Sequence, residues 1–387
     1  MSVTQFIVFF MSKTTGKENH TNWFERNPRK TLGGVIGIVV MLCSVVFATV
    51  YYQKRIAPVK KEGILNAAFT YRTEMPPYHH DFEKKQVVDT ATWGNRLYRL
   101  RTNSLRFKDT APRNVPLKAD HYRILFIGDS FTEGVGVPYR QTFVGIIGEA
   151  LSKYGIEVLN AGVVSYSPII YWRKVKYLLE TKGLDFDEVV VFLDISDVQD
   201  EARSYYLDQQ GHVKNRILDD KDIQRKVISR IRKKQAVNSF DKLLYILSEF
   251  WPYPPEEAGK WTIDSELFEK FGKAGLRRMT HYMNRLRKVL KSHQIKLKVA
   301  VYPWPVQIRA GDADSIQSVY WRHWCDSHGI DFIDYFSVLC PDADAGRRQA
   351  MIDKYFIKGD AHLNQAGHRL VARLFLDKFE AEYQNDT

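Results

Sequence analysis

The chain has 387 residues, 44% of them hydrophobic and 26% charged, which excludes a disordered tail and a polytopic membrane protein and fits one sizeable catalytic domain with appendages. A net charge of +12, from 57 Lys and Arg against 45 Asp and Glu, points to an anionic neighbour without choosing among nucleic acid, lipid headgroups and an acidic polymer. Three cysteines, Cys43, Cys325 and Cys340, are too few for a disulfide scaffold and lack the pairwise spacing of a zinc site.

In chain order, residues 1–30 read as a short basic tail, in which the apolar run QFIVFF at 5–10 is too short to span a bilayer. Residues 31–52, TLGGVIGIVVMLCSVVFATVYY, carry no charge over 22 positions. At about 1.5 Å per residue such a helix crosses a hydrocarbon layer of about 30 Å, so one transmembrane helix is expected, with Cys43 in lipid. A secretory signal peptide would have a shorter apolar core and a small-residue cleavage site, which Ala48-Thr49-Val50 matches poorly. Arg26, Arg29 and Lys30 precede the span, and Lys54, Arg55, Lys60 and Lys61 follow it. That asymmetry is slight. The usual behaviour of an N-terminal anchor puts the tail in the cytoplasm and the large domain outside. Residues 53–118 read as a polar connector containing Pro76-Pro77, His79-His80 and the segment RTNSLRF.

From Arg123 the sequence alternates strand and helix, within a domain placed at 119–387. RILFIG is a compact strand; Phe143, Ile146, Ile147, Ala150, Leu151 and Tyr154 recur at helical spacing, and residues 156–159 form a short strand. EVVVFL at 188–193 is apolar after its first residue, as a strand covered on both faces of a parallel sheet requires. Leu276, Met279, Met283, Leu286 and Leu290 make the apolar stripe of a helix, and residues 296–301 alternate before YPWP breaks the pattern. Residues 330–333 read as a further strand and 366–379 as a closing helix. The order predicts an α/β fold, a three-layer α/β/α sandwich with a central parallel sheet. Between 205 and 261 the alternation lapses into an inserted lid. There, residues 221–234 hold seven basic side chains against one acidic, with Ile223, Val227 and Ile231 on one helical face. This is either a solvated helix or one that meets a membrane surface or an anionic polymer.

The strand ending at Ile127 runs directly into GDSFTEGVG, at the carboxyl edge where open α/β sheets bind ligands. A hydroxyl at Ser130 would sit beside unpaired backbone N–H groups at the start of a helix, where an oxyanion is stabilised. An isolated Gly-Asp-Ser equally serves as a helix cap or turn. A weakly nucleophilic hydroxyl needs a base, and the base an orienting group. Asp360 and His362, in GDAHLNQAGHRL, share a loop before the last helix, whereas His368 lies in the helix and reads as packing. Oxyanion donors are expected at the ends of other strands: the backbone of Gly162 in Asn160-Ala161-Gly162, and the hydroxyl of Ser196 in Asp194-Ile195-Ser196-Asp197. Asp194 and Asp197 serve equally well as loop caps. No paired-histidine motif or EF-hand-like loop accompanies these carboxylates, so neither a metal nor another cofactor is expected.

GDSFTEGVG, NAG at 160–162 and DAHLNQAGH, in that order, resemble the blocks of the SGNH (GDSL-type) hydrolase superfamily over residues 123–376, the lid being unmatched. The resemblance implies an SGNH, flavodoxin-like sheet, with Ser130 as nucleophile and Gly162 as a backbone oxyanion donor. It also implies His362 as general base with Asp360 as its partner. RTNSLRF and the single anchor resemble membrane-tethered bacterial members found with cell-surface polysaccharide systems. From these follow an extracytoplasmic domain on a bacterial inner membrane and an ester-bearing carbohydrate as substrate.

Two departures stand out. The third block normally reads Gly-x-Asn-Asp, and here Asp194-Ile195-Ser196-Asp197 replaces it; losing one such donor costs about 2.7–4 kcal/mol of transition-state stabilisation. Most members place the acid three residues before the histidine, a position held here by Gly359. Two outcomes of an acyl-enzyme remain, an esterase and an O-acyltransferase, and Tyr302, Trp304 and Trp324 are either a sugar platform or core. A non-catalytic surface-polymer binding or assembly protein is the alternative from another class. Nucleic acid is not expected as a partner, since no reader motif accompanies the charge. Cys325 and Cys340 can pair if the domain faces an oxidising space.

Overall fold

A computed structural model describes residues 27–34, 37, 41, 44, 71–94, 96–215 and 257–385. The chain divides into two compact units, residues 1–70 and 71–387. In the first, the described residues from Pro28 onward are helical. Among the described residues no helix is long and apolar enough to cross a membrane. Most of the expected span at 31–52, and all of the expected basic helix at 221–234, lie outside them.

The second unit begins earlier than the sequence suggested. Residues 71–118, read above as connector, contribute two antiparallel hairpins: β1 (Arg72–Met75) with β2 (His79–Phe82), and β3 (Val87–Trp93) with β4 (Arg96–Arg101). Along β4 the strand period shows directly, with Tyr98 and Leu100 buried and Leu97 and Arg99 exposed. Tyr78, Phe82, Leu100 and Phe107 join the main core. Polar residues are buried too, which is why the segment reads as a connector in one dimension. Asp81 and Lys174 are both fully buried and form an ion pair at 2.9 Å.

Among the described residues five strands form the central sheet: β5 (Arg123–Ile127), β6 (Glu157–Asn160), β7 (Glu188–Leu193), β10 (Lys296–Val301) and β11 (Asp331–Asp334). They lie in the order β11-β10-β7-β5-β6, all parallel. Every residue of β5 and β7 is buried, as strands covered on both faces must be. The chain leaves β5 for β6 on one side, then crosses back past β5 to β7. Right-handed crossovers in opposite directions put their helices on opposite faces of the sheet. The first crossover carries α1 (Ser130–Glu133) and α2 (Phe143–Leu151), the second α3 (Pro168–Lys176). Beyond β7, α4 (Lys273–Ser292) packs on α3, and the last helix, α5 (Gln365–Asn385), returns to pack on α2. The apolar stripe of α4, Leu276, Met279, Met283, Leu286 and Leu290, is buried throughout, worth about 1.5–3 kcal/mol per side chain.

The reversal of direction at β5 creates a crevice at its carboxyl end, between the chains leaving β6 and β7. Of residues 205–261, those described include a short hairpin, β8 (Tyr205–Leu207) with β9 (Val213–Asn215), and a buried Trp261 whose indole N–H donates to Ile195 O at 2.8 Å. Cys325 and Cys340 are buried free thiols; they do not pair with each other, a correction to the pairing considered from their compartment.

Candidate active site

Strand β5 passes into α1 through a very tight turn. A Cβ on Gly128 would lie 2.1 Å from Thr132 Oγ1 and 2.9 Å from the Phe192 carbonyl oxygen, so only glycine lets the chain turn here. Asp129 caps the helix, its Oδ1 accepting from the Phe131 amide at 2.9 Å. Gly134, in the left-handed region at φ 72°, ends it after one turn. Ser130 is thus the first residue of the helix, where its own amide has no intrahelical partner.

The loop bearing Asp360 and His362 is clamped at both ends. A bridge pairs Phe356 with Leu363, the Ile357 amide donates to His362 O at 2.8 Å, and Gly359 turns at φ 75°. On the far side Asn364 caps α5, accepting from Ala366 N at 2.8 Å and Gly367 N at 3.1 Å. The fixed loop brings His362 Nε2 to 2.8 Å from Ser130 Oγ across 232 residues of sequence. On the other side of the ring, His362 Nδ1 lies 2.5 Å from Asp360 Oδ1, which also accepts the His362 amide at 3.0 Å. A carboxylate at Nδ1 holds the ring proton there and leaves Nε2 to accept. Ser130, His362 and Asp360 therefore form one continuous hydrogen-bonded chain.

The electrostatics suit proton transfer. Burial disfavours the Asp360 carboxylate, but the charge and hydrogen bonds of His362, with a further bond from Trp93, outweigh it and hold the carboxyl down at about 2. Burial likewise opposes the imidazolium of His362, yet Asp360, then Asp129 and Asp194, raise its pKa above the ordinary histidine value. His368 shows the opposite case. It stacks on Phe143, accepts that residue's amide at 3.2 Å, and is pushed down to about 3, mainly by burial; it packs.

Below the serine lies a group of buried carboxylates. Asp129 Oδ2 is 3.1 Å from Ser130 Oγ, and Tyr302 donates its hydroxyl to Oδ1 at 3.3 Å. Asp194 Oδ2 accepts the Trp304 indole at 2.7 Å. Asp197 Oδ2 accepts from the Asp194 amide at 3.2 Å and the Tyr171 hydroxyl at 3.0 Å. Burial, and then their neighbouring carboxylates, push Asp129 and Asp197 well above the usual range. Tyr302, Trp304 and Trp324 are buried in the core and offer no exposed sugar platform.

The two oxyanion donors expected from the strand ends are engaged within the protein. The Gly162 amide donates to Asn160 Oδ1 at 3.0 Å, closing a local turn. Ser196 donates both its amide, at 2.8 Å, and its hydroxyl, at 2.5 Å, to Asp194 Oδ1, because the acid two residues earlier outcompetes any more distant acceptor. Gly162 is nevertheless sterically obligatory: a Cβ there would lie 2.7 Å from Thr132 Cβ and 2.9 Å from the Glu133 amide. Its lack of a side chain lets the β6 loop pack against the turn that carries Ser130.

Sequence reasoning missed Trp93. Its indole donates to Asp360 Oδ2 at 2.9 Å, and its ring meets His362 edge-on with centroids 4.8 Å apart. The only signal was a tryptophan at a glycine turn between two alternating runs, which alone says hairpin and nothing about a partner 267 residues away.

No family model and no curated protein matches the sequence. Among solved structures, the chain is similar to the psychrotrophic esterase EstA from Pseudoalteromonas sp., with 10% identity over 68% of this chain and 98% of that one, at a TM-score of 0.37. The acetyl xylan esterase AlAXEase shows 17% identity over 66% and 98% of the two chains, at a TM-score of 0.37. The lipase/acylhydrolase from Enterococcus faecalis shows 11% identity over 67% and 96%, at 0.36.

Proposed function

We propose that this chain is an SGNH-type serine hydrolase acting on esters, either an esterase or an O-acyltransferase. Its substrate is an ester group, O-acetyl in the first instance, on a cell-surface carbohydrate. The observation that carries the reading is the unbroken path from Ser130 Oγ through His362 to Asp360. Ser130 Oγ bonds to the ester carbonyl carbon as its proton passes to His362 Nε2. The tetrahedral intermediate then expels the sugar oxygen, which takes that proton from His362, leaving an acyl-serine. Water, or a second sugar hydroxyl, attacks the acyl carbon with His362 again as base and releases Ser130. Asp360 keeps the imidazole in the accepting tautomer and stabilises the imidazolium formed at each step. The amide of Ser130 at the start of α1 faces the developing oxyanion. We further propose that residues 31–52 tether the chain to a bacterial inner membrane with this domain outside the cytoplasm, the uncharged 22-residue segment and the resemblance to membrane-tethered members supporting that placement.

The test offers the full chain acetylated and unacetylated glycans and follows their mass, alongside p-nitrophenyl acetate hydrolysis. Loss of acetyl from the first group marks an esterase, and gain by the second in the presence of an acyl donor marks a transferase. Unchanged activity in Ser130→Ala and His362→Ala would remove both. A second reading, a non-catalytic polysaccharide-binding or assembly protein that keeps the fold, draws on one observation: the Gly162 amide and Ser196 hydroxyl already have partners. It predicts saccharide binding without turnover.

A further inference from the structure

The Asp360 carboxylate is held by donors from two separate parts of the fold. Oδ1 takes the two bonds from His362, and Oδ2 takes the Trp93 indole. The torsion that turns a carboxylate plane is broad. With bonds to Oδ1 alone, the plane can swing while Oδ1 keeps a poorer contact; a donor on Oδ2 removes that freedom. The same indole walls one side of the imidazole, and Phe131 packs on it with centroids 4.7 Å apart.

Trp93 is itself held in place. A Cβ on Gly136 would lie 3.4 Å from Ile357, 3.6 Å from Arg96 and 3.6 Å from the Trp93 ring, so the hairpin tip rests on the loop after α1 and on the segment leading to Asp360. Behind it, Lys108 sits 4.9 Å from the Tyr98 ring centroid of β4. The same ammonium donates to Gly134 O at 2.6 Å and Val137 O at 2.7 Å. The β3–β4 hairpin is thus fastened to the loop that follows the serine.

We propose that Trp93 is a positioning residue of the triad, fixing the Asp360 carboxylate against His362, and that the β3–β4 hairpin, upstream of the whole central sheet, completes the active site. This rests on the ester chemistry proposed above. It also gives a physical reason why an acid two residues before the histidine, rather than three, serves here: the short loop presents Oδ1 to the ring, and the hairpin secures the other oxygen.

The test compares the wild-type full chain with Trp93→Phe and with 3-benzothienylalanine at position 93, which keeps the indole shape and removes its N–H. The readouts are kcat and KM for p-nitrophenyl acetate across pH 5–9, and the rate at which a fluorophosphonate labels Ser130. Outer partners that orient an active group typically matter about 10- to 100-fold. Both variants are expected to lose kcat and labelling rate by that factor, with KM within about twofold. The alkaline-rising limb should move to lower pH as Asp360 loosens its hold on His362. The other ionisable groups acting on that ring, Asp129 and Asp194 at the ends of β5 and β7, and His368 on α5, are unchanged in both variants. An active wild type with both variants at its kcat and pH limb overturns the role of Trp93 alone. So does a fall in kcat with an unmoved limb, since a smaller folded fraction lowers kcat without shifting it. A wild type that neither turns over ester nor takes label at Ser130 overturns this role together with the function beneath it.

Discussion

Replacing Asp360 by asparagine removes one charge and keeps the shape, and the contacts at this site make the outcome specific. In Asp360→Asn, a carboxamide oriented to accept from His362 Nδ1 and the His362 amide points its NH2 at the Trp93 N–H, two donors facing each other where Asp360 Oδ2 now accepts at 2.9 Å. The opposite orientation satisfies Trp93 and aims the NH2 at His362. That forces the ring proton onto Nε2, so the imidazole no longer accepts the Ser130 proton, and it also faces the His362 amide with a second donor. Neither orientation satisfies every partner. Misplacing the tautomer in a Ser-His-Asp triad costs about 10⁴ in kcat, equivalent to about 5.5 kcal/mol of barrier at 1.36 kcal/mol per decade. The pH dependence follows from the sign of the His362 shift. Catalysis needs the neutral ring, so kcat/KM rises with pH through the His362 pKa. In the native protein burial lowers that pKa and Asp360 more than compensates. In Asp360→Asn burial is no longer offset by Asp360, so whatever activity remains should have its rising limb at lower pH. Steady-state hydrolysis of p-nitrophenyl acetate across pH 5–9 reads both quantities. A variant within tenfold of wild type, with its limb in place, would refute the assignment of Asp360.

Gly128→Ala forces a methyl against Thr132 and the Phe192 carbonyl; a loss of about 1–3 kcal/mol in stability from overpacking and a reduced kcat are expected, measured by thermal melting and ester turnover. Lys174→Met leaves Asp81 buried without its ion-pair partner and takes donors from Ala161 O and the Tyr166 hydroxyl. Breaking such a pair costs about 3–5 kcal/mol, seen as a lower denaturation midpoint at unchanged slope. Burial first, with nearby carboxylates second, pushes the Cys325 thiol up to about 12 and the Cys340 thiol up to about 11. Since the thiolate is the reactive form, peptide mapping after iodoacetamide at pH 8 should find both unmodified in the native protein and both alkylated after denaturation.

The central sheet was legible because its strands are covered on both faces and announce themselves as apolar runs: 124–127 and 189–193 fall where the sequence put them. Helix α4 was legible for a similar reason, its stripe having one period and one buried face. Ser130 lies just after an apolar strand and Asp360 and His362 in the loop before the last helix, and the fold brings these three side chains together. What escaped was held by polar contacts between distant segments. His80 and Asp81 fall in the stretch read as a polar connector, and only the fold shows them and Lys174 buried, with the His80 ring 2.9 Å from Val164 O and the Lys174 ammonium 2.9 Å from Asp81. Nor does the sequence show that the donors expected at Gly162 and Ser196 each have a side-chain acceptor two residues away, Asn160 or Asp194, to which they are bonded in this structure. Local pairing of this kind carries no signature in spacing alone.

Whether the Ser130 hydroxyl is a nucleophile activated by His362 can be read from the protein itself. Brief exposure of the full chain to an activated acyl donor, acid quenching and peptide mass mapping locate the acyl group and time its arrival. The expected result is one acyl group on Ser130 in the wild type, with the label lost in Ser130→Ala and formed far more slowly in His362→Ala. An acyl group carried by another residue, or labelling of Ser130 at the same rate without His362, would contradict it.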